Sequence, residues 1–202
     1  MSRYLGPKNK LARRANLDLS LKTNPAKLAR RLNIPPGQHG RKGTKKLSDY
    51  GLQLREKQKV KWVYGVLEAQ FRRYYLKATK NPAATGEELL RLLERRLDNV
   101  VYRLGLAPTR PSARQLIVHG HVKVNRRPVD RPSYQVKVGD TVTLSPRALK
   151  IPTIKTLLDQ KNILVPSWLK RQAVVGKMVS LPQKNDWQLD VNENLIVESY
   201  SR

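Results

Sequence analysis

Between Ala113 and Asp130 the chain reads ARQLIVHGHVKVNRRPVD. The stretch sets two imidazoles, His119 and His121, across one glycine and follows them with an alternating apolar-polar run and the guanidiniums of Arg126 and Arg127. A guanidinium is a rigid planar fork of donors that matches a phosphate, and imidazole and carboxamide groups add donors around it. From Arg110 to Arg131 the bases are Arg110, Arg114, Lys123, Arg126, Arg127 and Arg131, against Asp130 as the sole acid. That imbalance suits a polyanionic partner better than proton transfer at a small substrate. Metal binding is not expected: a metal needs three or four converging ligands, and the only other imidazole is His39.

Positioning such groups takes packed elements. A short helix is expected over about 112 to 119, ended by Gly120, with Ala113, Leu116 and Ile117 inward and Arg114 and Gln115 outward. The period then switches to two, predicting three short antiparallel strands around Val122 and Val124, Val136 and Val138, and Val142 and Leu144, with a turn at Gly139-Asp140. Upstream, Thr85 with Glu88 reads as a capping box. Leu89, Leu93, Leu97, Val100 and Leu104 then share one face of a single helix that Gly105 terminates. Glu87, Glu88, Glu94 and Asp98 have the spacing of ion pairs on that helix surface with Arg91 and Arg95.

The chain has 202 residues, enough for one domain or two small ones, and its 39% hydrophobic content suffices for true cores. Lys and Arg number 41 against 15 acids, a formal charge of +26. A compact monomer would repel itself at that charge, so nucleic acid leads as the partner. No apolar run approaches a spanning length and the N-terminus lacks a secretory apolar core, so a soluble, intracellular protein is expected. The chain lacks cysteine, which excludes disulfides, thiolate metal sites and cysteine nucleophiles. No glycine-rich strand-to-helix turn of the phosphate-cradling kind appears, and neither an enzyme nor a cofactor is expected.

Residues 1 to 47 are basic, with Asp18 as their one acid, and are punctuated by Pro7, Pro25, Pro35 and Pro36. They read as an extended or locally helical arm that orders fully only on its partner. From Ser48, a candidate N-cap, Val60, Tyr64, Leu67, Phe71 and Tyr74 recur at helical steps, giving one long helix or two joined near Gly65. A helix near 153 to 162, a loop around 165 to 172, a strand near 177 to 182 and a short helix capped at Asn192 complete the chain.

The segment ERRLDNVVYRLGLAPTRPSARQLIVHGHVKVNRRPVDRPSYQVKVGDTV resembles the RNA-binding module named after small-subunit ribosomal protein four. MSRYLGPK at the start, PPGQHGRKGTKKLSDYGLQLREKQKVKWVYGVLEAQFRRYY in the middle and VNENLIVESYSR at the end are similar to the bacterial form of that ribosomal protein family. The resemblance spans essentially the whole chain. It implies an α+β fold: a mostly helical domain, a small inserted helix-plus-antiparallel-strand module and an extended basic arm. The expected boundaries are 1–47 for the arm, 48–94 for the helical domain completed by about 160–202, and 95–158 for the module.

The resemblance further implies a primary binder of 16S-type ribosomal RNA that nucleates assembly of the body of the small subunit, touches neighbouring ribosomal proteins and contributes to translational accuracy. Some relatives repress their own messenger. It implies a place in the cytoplasmic ribosome, with an organellar ribosome as the alternative, and no membrane and no small-molecule substrate. Carried onto this chain residue by residue, the implied RNA contacts in the module are Arg96, Asn99, Arg103, Arg110, Arg114, Gln115, His119, His121, Lys123, Asn125 and Arg127. In the arm and helical region they are Arg3, Tyr4, Pro7, Lys8, Gln38, His39, Arg41, Lys45, Lys46, Tyr50, Gln53, Arg55, Lys57 and Lys59. Several members hold zinc in an N-terminal cysteine cluster, and this chain lacks those cysteines. The alternative reading of the same surface is a free-standing RNA chaperone or translational repressor.

Overall fold

The computed structural model describes residues 4–38, 40, 46–81, 84–160 and 164–201, which form two compact units. The first joins the chain up to Gly86 with the C-terminal stretch from Leu189, and the second runs from Glu87 to Gln188.

In the first unit α1 (Lys8–Ala15) buries Leu11, Ala12 and Ala15, and α2 (Ala26–Ala29) buries Leu28. Leu19 and Leu21 between them are buried too. The described part of the arm is thus locally helical, one of the two forms expected of it, and its buried leucines give these short helices something to pack on. Helix α3 (Asp49–Tyr64) starts as read from sequence, with the Gly51 N–H donating to Ser48 Oγ. Gly65, at φ +61, ends it and frees the chain to start α4 (Glu68–Ala78), so the long helical stretch is two helices. Val60, Tyr64, Phe71 and Tyr74 are buried as the spacing predicts, while Leu67, the N-cap residue of α4, stays 37% exposed. The last helix of the chain, Glu193–Glu198, is capped by the Asn192 side chain, which accepts from the Asn194 N–H, and packs on α3.

Between these pieces, the helix expected from Thr85 to Leu104 is broken. Helix α5 (Thr85–Glu94) and helix α6 (Leu97–Arg103) are separated by Arg96, whose ψ of 137° is extended. The break is held from outside: the Leu97 N–H donates to the Tyr134 carbonyl at 2.9 Å and the Val136 N–H to the Arg95 carbonyl at 2.9 Å. The segment around Val136 thus pairs with this corner and does not form the expected strand. Thr85 is the first residue of α5, and its hydroxyl donates to the Asn81 carbonyl at 3.1 Å.

Helix α7 (Arg110–Val118) opens with the Ser112 N–H on Thr109 Oγ1 and stops before Gly120, at φ +71. Strands β1 (Val122–Val124), β2 (Arg127–Pro128) and β3 (Thr141–Leu144) follow, then the short helices α8 (Pro146–Leu149) and α9 (Pro152–Leu158). Strands β4 (Leu169–Gln172) and β5 (Val175–Met178) close an antiparallel sheet of order β2-β1-β3-β5-β4. With them named, the C-terminal helix is α10.

The compact unit that holds the sheet extends past residue 158, where the module was expected to end. Trp168, Leu169 and Met178 sit in one core with Leu97, Val100, Ile117, Val122 and Val142, so the stretch up to Gln188 belongs to the sheet unit, and only Leu189 onward completes the helical one. The loop expected around 165 to 172 is in part β4, because three polar residues in succession hide its alternation.

Candidate nucleic-acid interface

The module's expected contacts divide sharply by burial. Arg96 is fully buried and forks onto Asp98, Nε to Oδ1 at 3.1 Å and Nη2 to Oδ2 at 2.8 Å. Glu94, also fully buried, accepts from Asn99 Nδ2 at 2.6 Å and from Arg103 Nε and Nη2 at 3.2 Å each. Arg103 also donates to the Asp186 carbonyl. Asn99 passes the link on, its Oδ1 accepting from Arg110 Nε at 2.8 Å, and Arg110 Nη2 reaches Gln188 Oε1 at 3.0 Å while its guanidinium lies 4.5 Å from the Tyr102 ring. Arg114 is buried as well. The physical reason is the break at Arg96: it turns Glu94 and Asp98, expected at a helix surface, inward, where each needs a guanidinium to offset desolvation.

Gln115, His119, Asn125 and Arg127 are exposed, and His121 and Lys123 are half-buried. Their backbone is held by packed elements: Leu116 and Ile117 fasten α7, Val122 and Val124 fasten β1. His121 Nδ1 lies 3.4 Å from Ser145 Oγ. Asn125 spends its side chain on the turn, Nδ2 donating to Asp140 Oδ1 at 2.7 Å and Oδ1 accepting from the Thr141 N–H at 2.9 Å. Asn125 and Arg126 both have positive φ, 48° and 68°, the signature of a tight hairpin turn whose second place favours glycine. Arg126 occupies it exposed.

In the first unit Tyr4, Pro7, Gln38, Lys46 and Tyr50 are exposed and Lys8 is half-buried. Four further expected contacts are engaged inside the fold. Gln53 is buried with Nε2 donating to Glu198 Oε2 at 2.9 Å, and Arg55 Nη2 donates to the Ala15 carbonyl at 3.0 Å. Lys57 lies 3.4 Å from Glu68 Oε1 and 4.8 Å from the centre of the Tyr200 ring, and Lys59 pairs with Glu56 at 2.6 Å. Arg3, His39, Arg41 and Lys45 lie outside the described residues.

The sequence reading missed exposed bases elsewhere: Arg72, Arg73, Lys77 and Lys80 on and after α4, and Lys170 and Lys177 on the last two strands. The signal for the first group was their place opposite Phe71 and Tyr74 on the helix. The second group was hidden by the unrecognised strand β4. Among the described residues, no group of three His, Asp or Glu side chains could hold a metal ion.

A family model described as Ribosomal protein S4/S9 N-terminal domain matches residues 3–94, and one described as S4 domain matches residues 95–142. Small ribosomal subunit protein uS4 of Marinobacter nauticus is 51% identical over the full length of both chains. The protein of the same name from Desulfitobacterium hafniense is 48% identical, and that from Caldicellulosiruptor bescii 51%, again over the whole of both chains.

Proposed function

The chain belongs to the ribosomal protein S4 family, and from that membership we propose that it is a structural, non-catalytic constituent of the small ribosomal subunit. It binds 16S rRNA and neighbouring ribosomal proteins in the cytoplasmic ribosome. Among the described residues no helix is long and apolar enough to cross a membrane. The observation that carries the reading is the sorting of charge in the second unit: buried Arg96 and Arg103 are matched to the buried carboxylates of Asp98 and Glu94, while Arg126 and Arg127 are left exposed and Lys123 half-exposed.

In this reading Gln115, His119, His121, Lys123, Asn125 and Arg127, with Tyr4, Pro7, Lys8, Gln38, Lys46 and Tyr50, touch RNA. Arg96, Asn99, Arg103, Arg110 and Arg114 hold the platform, and so do Gln53, Arg55, Lys57 and Lys59. Phosphate contacts set register and orientation, and specificity comes from the shape of folded RNA, since an A-form helix hides its base edges in a deep groove. A rigid platform suits a protein that docks early at an RNA junction, nucleates assembly of the subunit body and contributes to accuracy.

The test is a salt-titrated binding curve on 16S rRNA beside an equally long, structured, unrelated RNA. We expect the ribosomal RNA to bind about a hundredfold more tightly and to keep that lead as salt rises. Coincident curves that collapse together would replace this reading with the free-standing chaperone.

A further inference from the structure

Strands β4 and β5 pair so that Lys170 stands directly opposite Lys177, and Leu169 opposite Met178. Leu169 and Met178 are buried, which forces both lysines onto the other, outer face; a one-residue slip would bury the charges and expose the core. Like charges in this position repel across about 5 Å and weaken the pairing. Neither ammonium has a partner among the described residues, and both side chains are exposed.

The same face continues through the sheet. Thr141 lies opposite Lys177, and Thr143 lies between Lys123 on one side and Val175 on the other. Gln172 stands opposite Val175. The two outward rows therefore carry three ammoniums, two hydroxyls and a carboxamide, and no carboxylate. Arg126 sits at the turn next to Asn125, which is bonded to Thr141.

We propose that this outer sheet face, centred on Lys170 and Lys177, is a second RNA-backbone contact surface, in addition to the one centred on α7 and β1. The proposal rests on the RNA-binding reading above. Phosphate fits the chemistry: compact point charges flanked by hydroxyl donors neutralise backbone anions without selecting a base. A phosphate seated between the two lysines turns the repulsion that the register imposes into attraction.

The decisive experiment compares the full-length protein with the double variant Lys170→Gln, Lys177→Gln on 16S rRNA and on the unrelated RNA. The expected result is several-fold weaker binding, a salt slope shallower by about one to two, and a melting temperature equal to or above that of the parent. An unchanged slope overturns the proposal, as does weaker binding wholly explained by a lower melting temperature. Acetylation of lysines on the unaltered protein supplies a readout that needs no variant. RNA should protect Lys170 and Lys177; protection by another small-subunit protein instead of RNA overturns the proposal in favour of a protein contact. If the parent fails to prefer 16S rRNA yet the slope still falls in the variant, the face stands and the ribosomal reading falls.

Discussion

Arg103 and Arg126 carry the same charge and do opposite things for the fold. Arg103 satisfies a carboxylate that has no exposure at all. Arg103→Ala removes that guanidinium and should cost about 3–5 kcal/mol, read as a lower urea midpoint, because buried Glu94 loses a charged partner that donates to both its oxygens. Any loss of RNA binding should then follow the unfolded fraction; a variant that keeps its midpoint and still loses binding would return Arg103 to the surface role. Arg126 sits at φ +68 with no bonding partner among the described residues, a conformation that costs a non-glycine residue about 1 kcal/mol. Arg126→Gly should therefore raise the melting temperature while weakening RNA binding. A stabilised variant with unchanged affinity would show that its guanidinium touches nothing. Residue types and spacing were enough to find the basic stretch, but not to sort its arginines, because the inward turn of Glu94 and Asp98 depends on Tyr134 and Val136, some forty residues downstream.

At the level of elements, close approach and charge decide what the helices and strands tolerate. Gly176 in β5 faces Leu104, and a Cβ added there would fall among the Leu104 side-chain carbons. Gly176→Ala should destabilise the second unit by about 1–3 kcal/mol in a urea melt, since Leu104 is fully buried with nowhere to retreat. In the first unit the C-terminus is fastened after α10 by Tyr200. Its ring stacks on Tyr75 with centroids 4.4 Å apart, and its hydroxyl donates to Glu68 Oε1 at 2.7 Å. Burial opposes ionisation of Glu68 most strongly, but hydrogen bonds from Lys61 and Tyr200 and the charges of Lys61 and Lys57 outweigh it and hold the carboxyl below its ordinary 4.5. A depressed carboxyl contributes stability that is present above its unfolded value and lost as pH falls through its folded one. Acidification below 4.5 should thus loosen the C-terminal docking, visible as a change in the Tyr200 ring resonances, and Glu68→Gln should flatten that response. Helix ends were the legible part of these elements: Ser48, Gly65, Gly105, Gly120 and Asn192 all act where their local chemistry places them. Strand β4 was not legible, since Lys170, Arg171 and Gln172 show no alternation until β5 lies beside them.

For the whole molecule, the charge of +26 and the sequence patterns already specify an α+β protein for a polyanion, and the order of its motifs is that of a ribosomal protein. Those properties are local or additive: charge sums along the chain, caps act within a turn, and amphipathic faces repeat within one element. Three things were decided only by the tertiary structure. The arm packs α1 and α2 into the first unit, because scattered leucines gain burial only when the chain brings them together. The stretch up to Gln188 joins the sheet, because the apolar side of β4 and β5 needs the core that α6, α7 and β3 already form. The arginines divide into buried struts and exposed side chains, because whether a charge faces water or a buried carboxylate depends on distant residues that spacing along the chain does not encode.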